Sequence, residues 1–181
     1  MIILFRNNHG EALTTTLVVG GIVFIVTIMV VLGISIRSDD VAQEAALSIV
    51  SDFINTCANE GKITLSNYEK FVSDLNTTGH SYDKEIEVKH LDENIGNKSA
   101  WTQSSVIGEN QYYSVFTSQI TNKLEEDGSY VMKKGDIISV TVKNTDTSLT
   151  QSLESAFFAG TGKGSAIIQA TGSETVKVNG N

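Results

Sequence analysis

A chain of 181 residues with 13 basic and 21 acidic side chains has a formal charge of −8, which excludes a chain-wide attraction to nucleic-acid phosphates. With one cysteine, Cys57, it has no intrachain disulfide, so any domain must be held by its core. The composition, 40% hydrophobic and 19% charged, is ordinary for one folded domain of about 100 to 150 residues beside a membrane segment.

Between Glu11 and Arg37 the run ALTTTLVVGGIVFIVTIMVVLGISI has no charged residue. As a helix it measures about 35 to 38 Å, enough to cross a hydrocarbon layer of about 30 Å with some tilt. A secretory signal peptide has a shorter apolar stretch, a basic segment before it and a small-residue cleavage site after it; here the run ends in Ile34, Ser35, Ile36 and Arg37. Val18, Val19, Ile22, Val23, Ile25, Val26, Thr27 and Ile28 favour a strand in water, but the unpaired backbone of a lone strand is untenable in lipid, so a helix is expected. Basic residues flank the run only weakly, with Arg6 before it and Arg37 offset by Asp39 and Asp40 after it. The expected topology is a cytoplasmic N-terminus and an extracytoplasmic C-terminal domain.

From Asp39 onward Ala42, Ala45, Ala46, Ile49, Val50, Phe53, Ile54 and Cys57 recur at spacings of three and four, one apolar stripe, and Gly61 supplies a stop. No proline occurs in the chain, and no glycine between Gly33 and Gly61. One helix from about Ala12 to Asn59 is therefore expected, membrane-spanning over 11–37 and amphipathic over 38–61. Cys57 lies on the apolar stripe, which points to packing rather than to a reactive thiol.

A head domain is expected over 62–181. Ser66 and Glu69 have the spacing of a capping box before a short helix with Tyr68, Phe71, Val72 and Leu75 inward and Gly79 at its end. SYDKEIEVKHL alternates Tyr82, Lys84, Ile86, Val88 and His90 with Asp83, Glu85, Glu87 and Lys89, a half-exposed strand. Residues 92–109 lack periodicity and predict a loop anchored by Trp101. From Glu109, the spacing of Tyr113, Phe116, Ile120 and Leu124 predicts a helix ending at Gly128. KKGD separates Tyr130, Val131 and Met132 from a strand in which Ile138, Val140 and Val142 face one side, which predicts a hairpin. Thr147 to Phe158 predicts a short helix with Leu149, Leu153 and Phe157 inward, AGTGKG a loop, and SAIIQATGSETVKVN one or two closing strands. The fold class is α+β: a long N-terminal helix carrying a small head with a mainly antiparallel sheet.

Chemistry is sparse. In GTGKG the glycines Gly160, Gly162 and Gly164 bracket Lys163 in the wrong register for a phosphate-binding loop. His9, His80 and His90 are far apart, without a second ligand type at metal-binding spacing. Glu125, Glu126 and Asp127 lack the calcium-loop pattern and suit a solvated helix end. Asn76 and Asn97 sit in glycosylation sequons, informative only in a eukaryotic source. The sequence thus predicts no enzyme, no cofactor and no metal.

The order of parts is the most informative motif. A short segment, MIILFRNNHG, ends in glycine; Glu11, the uncharged run, the amphipathic continuation and a head rich in Thr, Ser and Asn follow. With the Gly10-Glu11 step, the segment LSNYEKFVSDLNTTGHSYDKEIEVKHLDEN and the late strand GDIISVTVKN, the chain resembles type IV pilin-like proteins, in particular the TadE-like pseudopilins of tight-adherence (Tad) pilus loci of Gram-positive anaerobes. The resemblance implies that 1–10 is a leader, that a prepilin peptidase cuts between Gly10 and Glu11, and that the freed helix packs with copies of itself or with other pilin-like subunits in a surface filament serving adhesion or secretion. It also implies a glutamate at position five of the mature chain. Here position five is Thr15 and Glu11 is position one, a departure compatible with a minor subunit or a retained leader.

Glu11 at the bilayer lip wants a cationic partner, and Gly20, Gly21 and Gly33 with Thr14, Thr15, Thr16 and Thr27 would let helices approach closely; the same residues also suit a single span that merely faces lipid. Three function classes are open: a structural filament or assembly-machinery subunit, a bitopic membrane protein whose outer domain binds a secretion or conjugation partner, and an anchored enzyme whose site forms only in an oligomer.

Overall fold

A computed structural model describes residues 9–92, 111–147, 152, 155 and 167–181. The loop expected over 92–109 with Trp101 (apart from Asp92, which ends a strand), the helix expected over Thr147 to Phe158 and the AGTGKG loop lie outside the described residues, save Thr147, which is not helical, and Ser152 and Ser155, both helical.

Helix α1 (His9–Glu60) is unbroken over 52 residues, about 78 Å at the usual rise. It passes through Arg37 to Val41 without interruption, as expected where neither proline nor glycine intervenes. It ends at Gly61, whose φ of +69° is a left-handed conformation that a side chain would disfavour. Strand β1 (Lys62–Thr64) follows, then α2 (Leu65–Asn76), β2 (Tyr82–Asp92), β3 (Gln111–Phe116), α3 (Thr117–Asp127), β4 (Ser129–Val131), β5 (Ile137–Asn144) and β6 (Gln169–Thr175).

The main sheet has the order β3-β2-β5-β6, antiparallel throughout, with Ile86 opposite Val140 and Val140 opposite Gly172. The chain is therefore α+β, a long apolar N-terminal helix with an antiparallel-sheet head. One sheet face, with Ile86, Val88, Ile138, Val140, Val142 and Ala170, is buried. It joins one core with Ala46, Val50, Phe53, Ile54 and Cys57 of α1, Phe71 and Leu75 of α2, and Ile120 and Leu124 of α3. The other face is polar and hydrogen-bonds to itself across strands, Ser139 to Ser173 at 2.9 Å and Thr141 to Thr171 at 3.2 Å. A two-layer domain with one wet sheet face results.

Helix α1 lies close to the sheet because both surfaces are small where they meet. Ala42 and Ala46 are buried on the helix, and a Cβ on Gly172 would come within 2.9 Å of Ile54 Cδ1 and 3.3 Å of Val50 Cγ1. Gly172→Ala meets mainly the tip of a flexible side chain and should be tolerated. Gly172→Ile should lower unfolding stability by about 1 to 3 kcal/mol through overpacking, measurable by urea denaturation; equal stability of the two variants would refute the close approach. Gln43 of α1 completes the seat: its amide donates to Gln169 O at 2.6 Å and accepts from Gln169 N at 2.9 Å, closing the start of the β6 edge.

Three sequence expectations are corrected. The helix expected from Glu109 is a strand followed by a helix: Tyr113 and Phe116 belong to β3 and are exposed, and only Ile120 and Leu124 are buried on α3. Tyr112, Tyr113, Val115 and Phe116 favour a strand where β2 offers an edge. The switch falls at Thr117, whose hydroxyl accepts from Ile86 N at 2.8 Å where the ladder stops. Second, α2 is capped by Thr64, which accepts from Asn67 N at 3.1 Å, and not by Ser66. Pairing of β1 holds Thr64 extended and moves the helix start two residues earlier. Third, Tyr130 to Met132 form no hairpin with β5; β4 pairs with β1, a strand absent from the sequence reading. Both strands have three residues and lie far apart in sequence, beyond the reach of local periodicity.

Cys57 is fully buried. Burial, and secondarily the Glu60 charge, push its thiol up to about 12 from 9.0. Tyr130 is pushed up to about 12 from 10.0, first by burial and then by Tyr113 and Asp136. Both groups are favoured neutral in the fold, so their contribution to stability is complete below about pH 9 and is lost as pH rises toward 12. Unfolding midpoints should therefore fall through that window, and a thiol reagent at pH 8 should label Cys57 only after denaturation. Rapid labelling of the native chain would contradict this packing.

Candidate assembly surface and polar clusters of the head

The N-terminal half of α1 is apolar and lies outside the head. From Leu13 to Ile36 fourteen large apolar side chains are exposed, among them Leu17 at 75%, Phe24 at 66% and Met29 at 67%. This is far more than the few hundred Å² that a soluble monomer leaves open. The helix is long and apolar enough to span a membrane. Thr16 donates to Ala12 O at 2.9 Å and Thr27 to Val23 O at 2.8 Å, so both hydroxyls are satisfied within the helix and would need no partner helix in lipid.

Gly10 and Glu11 fall in the first turn of α1. Gly20, Gly21 and Gly33 have nothing within 4 Å of an added Cβ. At 3.6 residues per turn Gly21 lies about 100° and Gly33 about 220° around the helix from Gly20. The three glycines thus share no seam, and close approaches are open on several sides rather than along one face of the glycine-zipper kind.

Two polar clusters occupy opposite ends of the sheet. At the end nearer the apolar half, His80 sits between α1 and the segment after β5, with Nδ1 3.1 Å from Asp146 Oδ2 and Nε2 3.9 Å from Asp39 Oδ1. It ties α1, where the apolar run stops, to the base of the head.

At the far end, Asp136 is buried at 1% exposure. The turn Lys133 to Asp136, with Gly135 at φ +97°, points its carboxylate inward. That carboxylate accepts from Leu91 N at 3.0 Å and Lys133 N at 2.7 Å, and lies 2.7 Å from His90 Nδ1. His90 Nε2 lies 2.5 Å from the Tyr130 hydroxyl. Because a carboxylate only accepts, His90 donates to Asp136 from Nδ1, and its Nε2 shares a hydrogen bond with the Tyr130 hydroxyl. His90 lies on the strand that the alternation predicts, while its partners Asp136 and Tyr130 come from distant segments. The available signal was a polar residue on an otherwise apolar strand face, which requires a partner; the partner's identity is set by topology. Sequence likewise hid the tail, where Lys177 N bonds Ala58 O at 2.9 Å, Gly180 N bonds Met132 O at 2.9 Å and Met132 N bonds Gly61 O at 2.8 Å.

Among the described residues no three metal-ligating side chains gather. Asp127 of the acidic helix end pairs with Lys123 at 2.7 Å, both half exposed. No family model, no curated protein and no solved structure matches this chain.

Proposed function

We propose that this chain is a non-enzymatic, pilin-like structural subunit, major or minor, of a Tad or type IV-type surface filament or of its assembly machinery. It is anchored by a single span, with the N-terminus cytoplasmic and the head outside. One observation carries the proposal: a single helix leaves the large apolar side chains of its N-terminal half mostly exposed and packs its C-terminal half into the core of the head. Such a rod transmits position from a packed helix bundle to a surface domain without a hinge. The scattered glycines support neighbours on several sides, as a filament core requires and a simple dimer does not.

Prepilin peptidase, copies of this chain or other pilin-like subunits, and the membrane are the partners in this reading, with cleavage between Gly10 and Glu11. Shearing cells without detergent and identifying the released protein by mass spectrometry tests it. Recovery of the chain in the sheared filament fraction with Glu11 as its first residue is expected. Complete retention in membranes would sink the major-subunit form.

A bitopic protein whose head binds a secretion or conjugation partner is the second reading, favoured by Thr15 standing where the pilin pattern has glutamate. A mature N-terminus at Met1 would select it.

A further inference from the structure

The far end of the head carries a cleft of about 430 Å³ lined by His90, Tyr113, Lys123, Asp127, Ser129 and Tyr130, together with Val131 and Lys133. That volume lies within the range of small-ligand sites. Its wall is the Tyr113 ring, 57% exposed, whose centroid is 5.1 Å from that of His90 at a tilt of 31°. The imidazole backs the ring, so presenting its open side costs little conformational freedom. His90 is in turn fixed by buried Asp136 and by Tyr130. Tyr130 makes one hydrogen bond to His90 Nε2, and a phenol oxygen with one partner keeps a lone pair for a donor from the cleft.

On the rim Lys123 and Asp127 form a 2.7 Å ion pair with side chains 52% and 54% exposed, placing a donor and an acceptor side by side. A cation held by Asp127, or an anion held by Lys123, would have to separate that pair. Two adjacent hydroxyls, each both donor and acceptor, would bridge it intact. Ser129 adds a further hydroxyl. An aromatic wall for a C–H face, a paired donor and acceptor, and a phenol oxygen that accepts are together complementary to a neutral, ring-shaped polyol.

We propose that this cleft binds one neutral pyranose sugar unit, stacked on Tyr113 and held through its hydroxyls by Lys123, Asp127 and Tyr130. The site belongs to the head alone and stands whether the chain is a filament subunit or a bitopic anchor.

The test is titration calorimetry on the full chain in lipid nanodiscs with methyl glucoside, methyl galactoside and methyl N-acetylglucosaminide, alongside glucuronate and inorganic phosphate. Saturable binding of at least one neutral glycoside is expected. Tyr113→Ala should weaken it at least about tenfold, and Tyr113→Trp should hold it within about threefold. Asp127→Ala, on an exposed helix end, should weaken it without altering thermal unfolding. Absence of binding by all three glycosides to a chain with native circular dichroism would overturn the proposal. So would binding that survives both Tyr113→Ala and Asp127→Ala, or binding confined to glucuronate and phosphate.

Discussion

Gly61→Ala is expected to cost the head about 2 to 5 kcal/mol, enough to leave it largely unfolded at 37 °C. Gly61 has a φ of +69°, and a Cβ there would lie 2.5 Å from Gly180 N and 2.6 Å from Val178 O. Left-handed backbone alone costs a non-glycine residue roughly 1 to 2 kcal/mol. The remainder comes from backbone against backbone, where no side chain can swing aside. The strain falls where most connections meet: Gly61 N closes the last turn of α1 on Cys57 O, Gly61 O accepts from Met132 N, and the tail crosses above. Thermal unfolding of the purified chain measures the effect. A shift no larger than that of Gly79→Ala, also at positive φ but with open space around it, would show that the crossing is loose.

Ser38→Pro is the second large expectation, and it acts on assembly rather than on the head. Ser38 is exposed and lies between the exposed apolar half of α1 and Ala42, an early residue of the core. Proline there removes the hydrogen bond to Ile34 O and clashes with that carbonyl, at about 3 kcal/mol or more, and kinks the rod. The head should still fold, because its apolar core starts one turn later at Ala42, with its urea midpoint lowered only slightly through the neighbouring Asp39–His80 contact. Filament recovered by shear should fall at least about tenfold against Ser38→Ala, which preserves the helix. Normal filament yield from the proline variant would remove the need for a stiff connection.

Sequence disclosed the parts governed by local periodicity and by solvent. The continuity of α1 followed from its apolar run, the stripe from Ala42 to Cys57 and the absence of breakers between Gly33 and Gly61. Strands β2 and β5 followed from alternation, and the burial of Ile86, Val88, Ile138, Val140 and Val142 matches it. Hidden parts depend on contacts distant in sequence. β1 and β4 exist only because each supplies the other's hydrogen bonds. Tyr113 and Phe116 fit a helical spacing as well as a strand, and only the free edge of β2 decides between them. Of the far-end cluster, His90 was visible, but its partners lie 40 and 46 residues away.

The most direct test of the continuous rod is a pulsed-EPR distance between spin labels at Thr27 and Ser51 in the full chain in nanodiscs. Both positions are exposed on α1, and native Cys57 is too deeply buried to take a label. One uninterrupted helix predicts a single narrow distribution near about 36 Å. A broad distribution, or one centred below about 28 Å, would mean that the helix bends or breaks at the membrane surface, contrary to this account.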